Sequence, residues 1–281
     1  MKNILFPTDF SITAESAFRF AVGVAIAFEA HIDVLHTYKV PLDYHIPGDL
    51  IQKMSKEEAR TVHLMLEKVI KDSFIAYPNA RQKITMEALA VQGFTSDKIL
   101  DSAKKQGSDL IIMGTQGATG WEKALVGSMT TAVIERAKVP VLAIPEGTKF
   151  NGFKNIVYGS DFSPSDFIKI NQLHEFAELF GAKIHVIHIA DEDGYFVDDV
   201  AFNLMKDKYY EEFPQTKAYL DFKVLLGNDV ENGLKDAVKS YKADLLAMTA
   251  RKQNFFEKLF GKSDTKGMAY DTKIPLLAFQ E

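Results

Sequence analysis

Three glycines and a serine carry the chemistry that this sequence offers most plainly. Gly114 and Gly117 follow an apolar run from Leu110 to Met113, and Gly127-Ser128 come after nine further residues. Glycine just past a strand lets the backbone come close to a ligand that a Cβ would hold away. A Gly-Ser pair where a helix begins offers unpaired N–H groups and a hydroxyl to an anion. Strand, glycines and helix start together describe a phosphate cradle. No lysine stands where a P-loop would place one, so charge on a bound phosphate would fall to backbone dipoles and a bridging divalent cation.

These residues need a frame. Leu110 to Met113 reads as a buried strand, a helix follows from roughly Met129 to Ala137, and Val139 to Ile144 reads as a second strand. Upstream, Ile4 to Pro7 and Ile32 to Tyr38 read as strands. The helix between them starts near Ser11 and carries Ala14, Ala17, Phe18, Ala21 and Ala25 at helical spacing. A long helix is expected over about Ser55 to Ala76, with Leu64, Leu66, Val69 and Ile70 as its core residues. Strand Ile84 to Val91 and helix Ser96 to Gln106 complete a series of five strands joined by crossover helices. That pattern specifies an α/β fold with a parallel, doubly wound sheet and helices on both faces. In such sheets ligands bind beyond the carboxyl ends of the strands. That edge gathers Pro7, Thr8 and Asp9, then Thr37 and Tyr38, then Met113, Gly114 and Gly117, and finally Gly127, Ser128, Met129 and Thr130.

The series occurs twice. NILFPTDFS at Asn3 to Ser11 returns as NIVYGSDFS at Asn155 to Ser163, and HIDVLHT at His31 to Thr37 returns as KIHVIHI at Lys183 to Ile189, both at an offset of 152. DLIIM at Asp109 to Met113 and VPVLA at Val139 to Ala143 return as DLLAM and IPLLA at an offset of 135. Order is kept while the spacing shrinks by 17 residues, so the second copy is shorter between its second strand and the glycine region. Domains are expected over residues 1–146 and 153–281, with a turn-rich linker at 147–152. In copy two, Ser163-Pro164-Ser165-Asp166 reads as a helix start with Ser163 as N-cap and the acid at the third helical position. Later helices are expected near Asp198 to Phe213 and Asp229 to Tyr241, with a strand at Tyr219 to Leu226.

The spacing G-x2-G-x9-G-S, between a strand and a helix that leads to a V-P-V strand, resembles the nucleotide motif of the ATP-binding universal stress proteins. The likeness covers nearly the whole chain. It implies two tandem Rossmann-like domains, each with a five-stranded parallel sheet. It implies ATP, ADP or AMP as ligand, with Mg2+ or Mn2+ bridging the phosphates. Backbone groups around Asp9 and Thr37 would meet adenine. The Pro7-Thr8-Asp9 turn and Gly114 would hold the ribose, with Met113 a further nucleotide-binding residue. Gly117, Gly127, Ser128, Met129 and Thr130 would hold the phosphates. It implies a cytoplasmic stress regulator with at most slow ATP hydrolysis or autophosphorylation. The two copies would pair through their last strands as a pseudo-twofold unit, with a homodimer of chains as a further step. Asp9 has two uses open to it: direct contact with the base, or an Asx-turn and cap that only fixes the loop.

Copy two breaks the motif. Thr249, Lys252 and Lys262 stand where copy one has Gly114, Gly117 and Gly127, and only Ser128 keeps its match, Ser263. A one-residue gap would align Gly261 with Gly127, yet the first two glycines stay lost. Side chains there would fill the space phosphates need, so copy two is expected to bind ATP weakly or not at all. Arg251, Lys252, Lys258 and Lys262 make a basic cluster for solvent or another anion. Phe255, Phe256 and Phe260 are apolar loop residues, matching the loop that holds Trp121 and Glu122 in copy one.

Bulk properties exclude other classes. The chain has 281 residues, 47% hydrophobic and 25% charged, with a net charge of -5, which gives no basic footprint for nucleic acid. It has no cysteine, so disulfides, thiolate catalysis and Cys-based zinc sites are out. No apolar run approaches membrane-spanning length. Lys53-Met54-Ser55-Lys56 matches a nucleotidyl-transferase signature, but Ser55 as N-cap with Glu58 three residues on is the simpler reading. His36 and His188 occupy equivalent positions late in the second strand of each copy, which points to a structural role. His185 and His188, three apart on a strand, face opposite sides and make a poor chelate. No Ser–His–Asp order or carboxylate pair stands out, and nothing identifies a general base.

Overall fold

A computed structural model describes residues 1–40, 46–115, 127–161, 163, 165–191, 193–250 and 274–280. The expected roles of Gly117, Trp121 and Glu122 fall outside these residues, as do the basic cluster, the copy-two phenylalanines and Ser263. Among the described residues two compact units are present, the first ending at Phe150 and the second beginning at Asn151.

The first unit runs β1 (Asn3–Pro7), α1 (Ile12–Phe28), β2 (His31–Tyr38), α2 (Gly48–Ala76), β3 (Thr85–Gln92), α3 (Thr95–Gln106), β4 (Leu110–Gly114), α4 (Ser128–Arg136) and β5 (Val141–Ile144). Its strands lie in the order β3-β2-β1-β4-β5, and each neighbouring pair is parallel. Strands β1, β4 and β5 are apolar runs because both faces are covered, whereas β3, at the edge, is only partly buried. Ile4, Leu5, Ile32, Val34, Ile111 and Val141 are fully buried. Phe6 packs on Phe18 of α1 at 4.9 Å. Phe6 pairs in register with Val34, while Thr37, three residues on and so on the other face, bonds to Thr95 of α3. Helices α1 and α3 therefore cover opposite faces, as right-handed crossovers require.

The second unit repeats the plan with β6 (Asn155–Gly159), α5 (Asp166–Glu178), β7 (Lys183–Ala190), α6 (Tyr195–Glu212), β8 (Leu220–Leu226), α7 (Val230–Ser240), β9 (Leu245–Ala250) and β10 (Leu276–Gln280). Its order is β8-β7-β6-β9-β10, again parallel throughout. Helix α6 has 18 residues against 29 in α2, which is where the repeat shortens.

Several expected boundaries are corrected. Helix α2 begins at Gly48 rather than near Ser55, with Pro47 preceding it. Ser55 is therefore no cap; its hydroxyl donates to the Gln92 side chain at 2.9 Å. Along α2 the buried residues are Val62 and Leu66, one turn apart, whereas Leu64 is 56% exposed. Val69 and Ile70 are only half-buried. Strand β5 starts at Val141 because Pro140 lacks an N–H; the Pro140 carbonyl still accepts from Ile111. In α5 the residue before the helix is Ser165, and Asp166 is the first helical residue, turned inward and 1% exposed. Two short 3-10 helices, Pro78–Gln82 and Pro214–Ala218, had no counterpart in the sequence reading.

Candidate functional site

The crevice of the first unit lies beyond the carboxyl ends of β1, β2 and β4. It encloses about 180 Å³ and is lined by Pro7, Thr8, Asp9, Ala14, Leu35, His36, Thr37, Thr95, Ile99, Met113, Gly114, Met129 and Thr130. Eight of the eleven residues singled out from the sequence share this one lining. Gly127 and Ser128 adjoin it at the start of α4, and Gly117 lies outside the described residues.

Each wall has a local cause. The β1–α1 turn is fixed by Asp9, whose carboxylate accepts from the Ser11 amide at 3.0 Å and from the Ser11 hydroxyl. Ser11 in turn caps α1 by accepting from the Ala14 amide. The Asp9 side chain thus performs the loop-fixing role. The Phe10 amide donates to the Thr8 hydroxyl, and Phe10 itself is held at φ 61, the left-handed region that bulky residues avoid. From β2, His36 donates through Nδ1 to the Thr8 carbonyl at 2.7 Å. In the second unit His188 does the same to the Ser160 carbonyl at 2.9 Å. The paired histidines are structural clamps, each tying the end of its unit's second strand to the turn after the first.

Helix α4 supplies the polar end. Gly127 is its extended N-cap residue, and no side chain caps the helix. The Gly127 amide is already used, donating to the Thr115 carbonyl. Among the described residues, the amides of Ser128, Met129 and Thr130 therefore carry the unpaired donors of the first turn. Thr130 donates its hydroxyl to the Gly114 carbonyl at 2.9 Å, locking the helix start against the end of β4. This arrangement can hold an anion on three amides and the positive end of the helix dipole. Sequence reasoning missed Thr95 and Leu35. Thr95 opens α3 at the same sheet edge, so the edge rule would have found it; Leu35 was hidden as an ordinary core residue.

The equivalent crevice of the second unit encloses about 130 Å³, lined by Gly159, Ser160, Asp161, Ile187, His188, Ile189, Val230, Leu234, Met248 and Thr249. A buried polar network stands at its base. Tyr158 donates to Asp166 at 2.8 Å and lies 3.0 Å from the Thr249 hydroxyl, and Ser160 donates to the other Asp166 oxygen. Copy one has Phe6, Thr8, Ala14 and Gly114 in those places. Burial, and then the adjacent Asp166 charge, push the Tyr158 pKa far above the usual phenol range, so it stays a neutral hydroxyl.

At the opposite, amino-terminal edge of the first sheet, His31, Asp33 and Glu87 have ligand atoms within 4.8 Å of one another. His31 already bridges Thr85 at 2.7 Å and Asp33 at 3.1 Å, so the cluster is internally bonded.

The model of the universal stress protein family matches residues 1–145 and again 152–280. Universal stress protein MJ0531 of Methanocaldococcus jannaschii is 31% identical over 152 residues, covering 53% of this chain and 84% of that protein. Universal stress protein MJ0577 of the same organism is 26% identical over 154 residues, covering 51% and 94%. Among solved structures, a universal stress protein from Archaeoglobus fulgidus aligns with 99% of this chain and 96% of its own at a TM-score of 0.69 and 18% identity, a likeness of fold. With the family pattern met once in each half and with the Rossmann-like sheet that such a pattern encodes, the chain belongs to the universal stress protein family as a tandem of two domains.

Proposed function

We propose that the first domain binds ATP or ADP in the crevice between β1, β4 and α4, and that the chain acts as a nucleotide-dependent stress regulator in the cytoplasm. The observation that carries this reading is the uncapped start of α4. Three amides, at Ser128, Met129 and Thr130, are aimed at the sheet edge where Gly114 leaves the backbone bare. Pro7, Thr8 and Asp9 supply the ribose turn, Met113 its floor, and Thr37 and Asp9 the base end. Gly117 joins the phosphate contacts by its place in the motif. Mg2+ or Mn2+ would arrive with the phosphates, since Asp9 is the one carboxylate of the described lining and is held by Ser11. Regulation is favoured over turnover for the same reason: His36 and Asp9, the candidate bases, are both engaged in fixing the turn. Among the described residues no helix is long and apolar enough to cross a membrane. Pairing of the two domains through their last strands belongs to the same proposal.

Calorimetric titration of ATP with Mg2+ into the full chain tests the reading. Gly127→Val places a β-branched side chain at the helix start, and the expected loss of affinity is at least tenfold. Unchanged heat in the variant, or no heat in the parent, would reject it. A slow release of ADP abolished by the same substitution would transfer the assignment to an ATPase.

A further inference from the structure

Between α1 and α2 the first domain holds a second cavity, larger than the crevice, of about 460 Å³. That lies within the range of small-ligand pockets. Its walls are apolar, formed by Ala14, Phe18 and Val22 of α1 and by Met65 and Val69 of α2. Its rim carries Arg19 and Lys68. We propose that this groove is a binding site for a small amphipathic carboxylate, an alkyl or aromatic acid.

The second domain provides the control. Aligning the two helix ends at Tyr77-Pro78 and Phe213-Pro214 pairs Ser73 with Tyr209, Phe74 with Tyr210 and Arg81 with Lys217. The alignment is fixed by a shared contact: Arg81 lies 5.0 Å from the Phe74 ring, and Lys217 lies 5.3 Å from the Tyr210 ring. In the second domain Tyr209 is fully buried and packs on Phe167 at 5.6 Å and on Phe213 at 4.9 Å. Phe167 is the counterpart of Glu15. Aromatic rings at the matched positions of Ser73 and Glu15 therefore fill between α5 and α6 space that stays open between α1 and α2. The plug leaves the Tyr209 hydroxyl buried without a partner among the described residues. Among the described residues, then, the groove is open in domain one and aromatic side chains occupy the Ser73 and Glu15 positions in domain two.

Charge selects the head group. Glu15 is held by Arg19 at 2.6 Å, and the guanidinium keeps further N–H donors. Lys68, on the groove rim, is in no salt bridge among the described residues. The lining's two carboxylates are Glu15, already held by Arg19, and Asp72, one helical turn from Lys68. A ligand with an apolar body and an anionic end satisfies Lys68 and Arg19 while its body covers Phe18 and Val69. The groove also shares Thr8 and Ala14 with the crevice and borders Phe10, so its occupant presses on the β1–α1 turn.

The test is a titration of sodium decanoate, below its micelle concentration, into the isotopically labelled full chain without nucleotide, read by amide chemical shifts. Saturable shifts at Phe18, Val22 and Val69, extending to Phe10 and Asp9, are expected. Ser73→Tyr, which copies the plug of domain two, should weaken binding at least tenfold. Should that variant fail to fold, the exposed Ala76→Glu decides. It should weaken decanoate severalfold while leaving decanol unaffected. Absence of saturable shifts, or undiminished binding in a folded Ser73→Tyr or in Ala76→Glu, overturns the site. Equal affinity for decyltrimethylammonium overturns the carboxylate assignment. None of these readouts depends on whether the crevice binds ATP.

Discussion

Asp33 lies 3% exposed beneath the sheet edge, with His31 3.1 Å away and Glu87 beside it in register. Burial raises its pKa above the ordinary 3.8, outweighing the help of His31. Because the folded pKa is raised, the native state holds this proton more tightly than the unfolded chain. Well below pH 3.8 the group is neutral in both states and costs nothing. As pH rises through the ordinary carboxylate range the unfolded chain ionises first, and stability falls until the native group follows. Asp33→Asn keeps an acceptor for His31 and removes the titration. Urea unfolding at pH 3, 5 and 7 should find the two proteins nearly equal at pH 3 and the variant more stable at pH 7. A parent more stable at pH 7 would mean that the His31 contact outweighs burial. This pair was not legible as such in the sequence. His31 and Asp33 alternate along a strand, but nothing local told that Asp33 would be buried or that Glu87 would be its neighbour. The crevice residues were legible because they cluster at strand ends, a position that strand order alone determines.

At the scale of elements, the repeat made the strands readable to within a residue or two, since buried parallel strands are uninterrupted apolar runs. Helix α2 was misjudged because Ser55 with Glu58 imitates a cap, although Leu50, Ile51 and Met54 already stand at helical spacing ahead of it. Helix ends show how the copies compensate for each other. Gly107 closes α3 at φ 62, and its counterpart Lys242 follows α7 at φ 52. Gly181 at φ 62 corresponds likewise to Glu29 at φ 50. A side chain in the left-handed region costs about 1 kcal/mol that glycine avoids. Lys242→Gly should therefore stabilise the second domain by roughly 0.5–1 kcal/mol, less any entropy that glycine adds to the unfolded chain. Thermal unfolding of the parent and variant measures it. A loss of stability would show that the Lys242 side chain contributes more than its backbone strain costs.

Over the whole molecule, one architecture serves two different crevices, and the difference is deeper than missing glycines. In domain two the base of the crevice has exchanged Phe6, Ala14 and Gly114 for Tyr158, Asp166 and Thr249, which bond to one another out of water. A buried carboxylate directly behind the sheet edge opposes an anionic ligand, whatever room is made in front of it. This separates two accounts of why domain two would lack nucleotide. If steric filling were the cause, Thr249→Gly would restore a second site. If the Asp166 network is the cause, the substitution opens space, leaves the charge in place and removes one hydroxyl partner of Tyr158. Native mass spectrometry with saturating ATP should then find one nucleotide per chain in the parent and one in Thr249→Gly. The variant should also lose about 1 kcal/mol of stability for the broken hydrogen bond. A second nucleotide in the variant would give the exclusion to Thr249 alone, and a second nucleotide in the parent would remove the asymmetry between the domains.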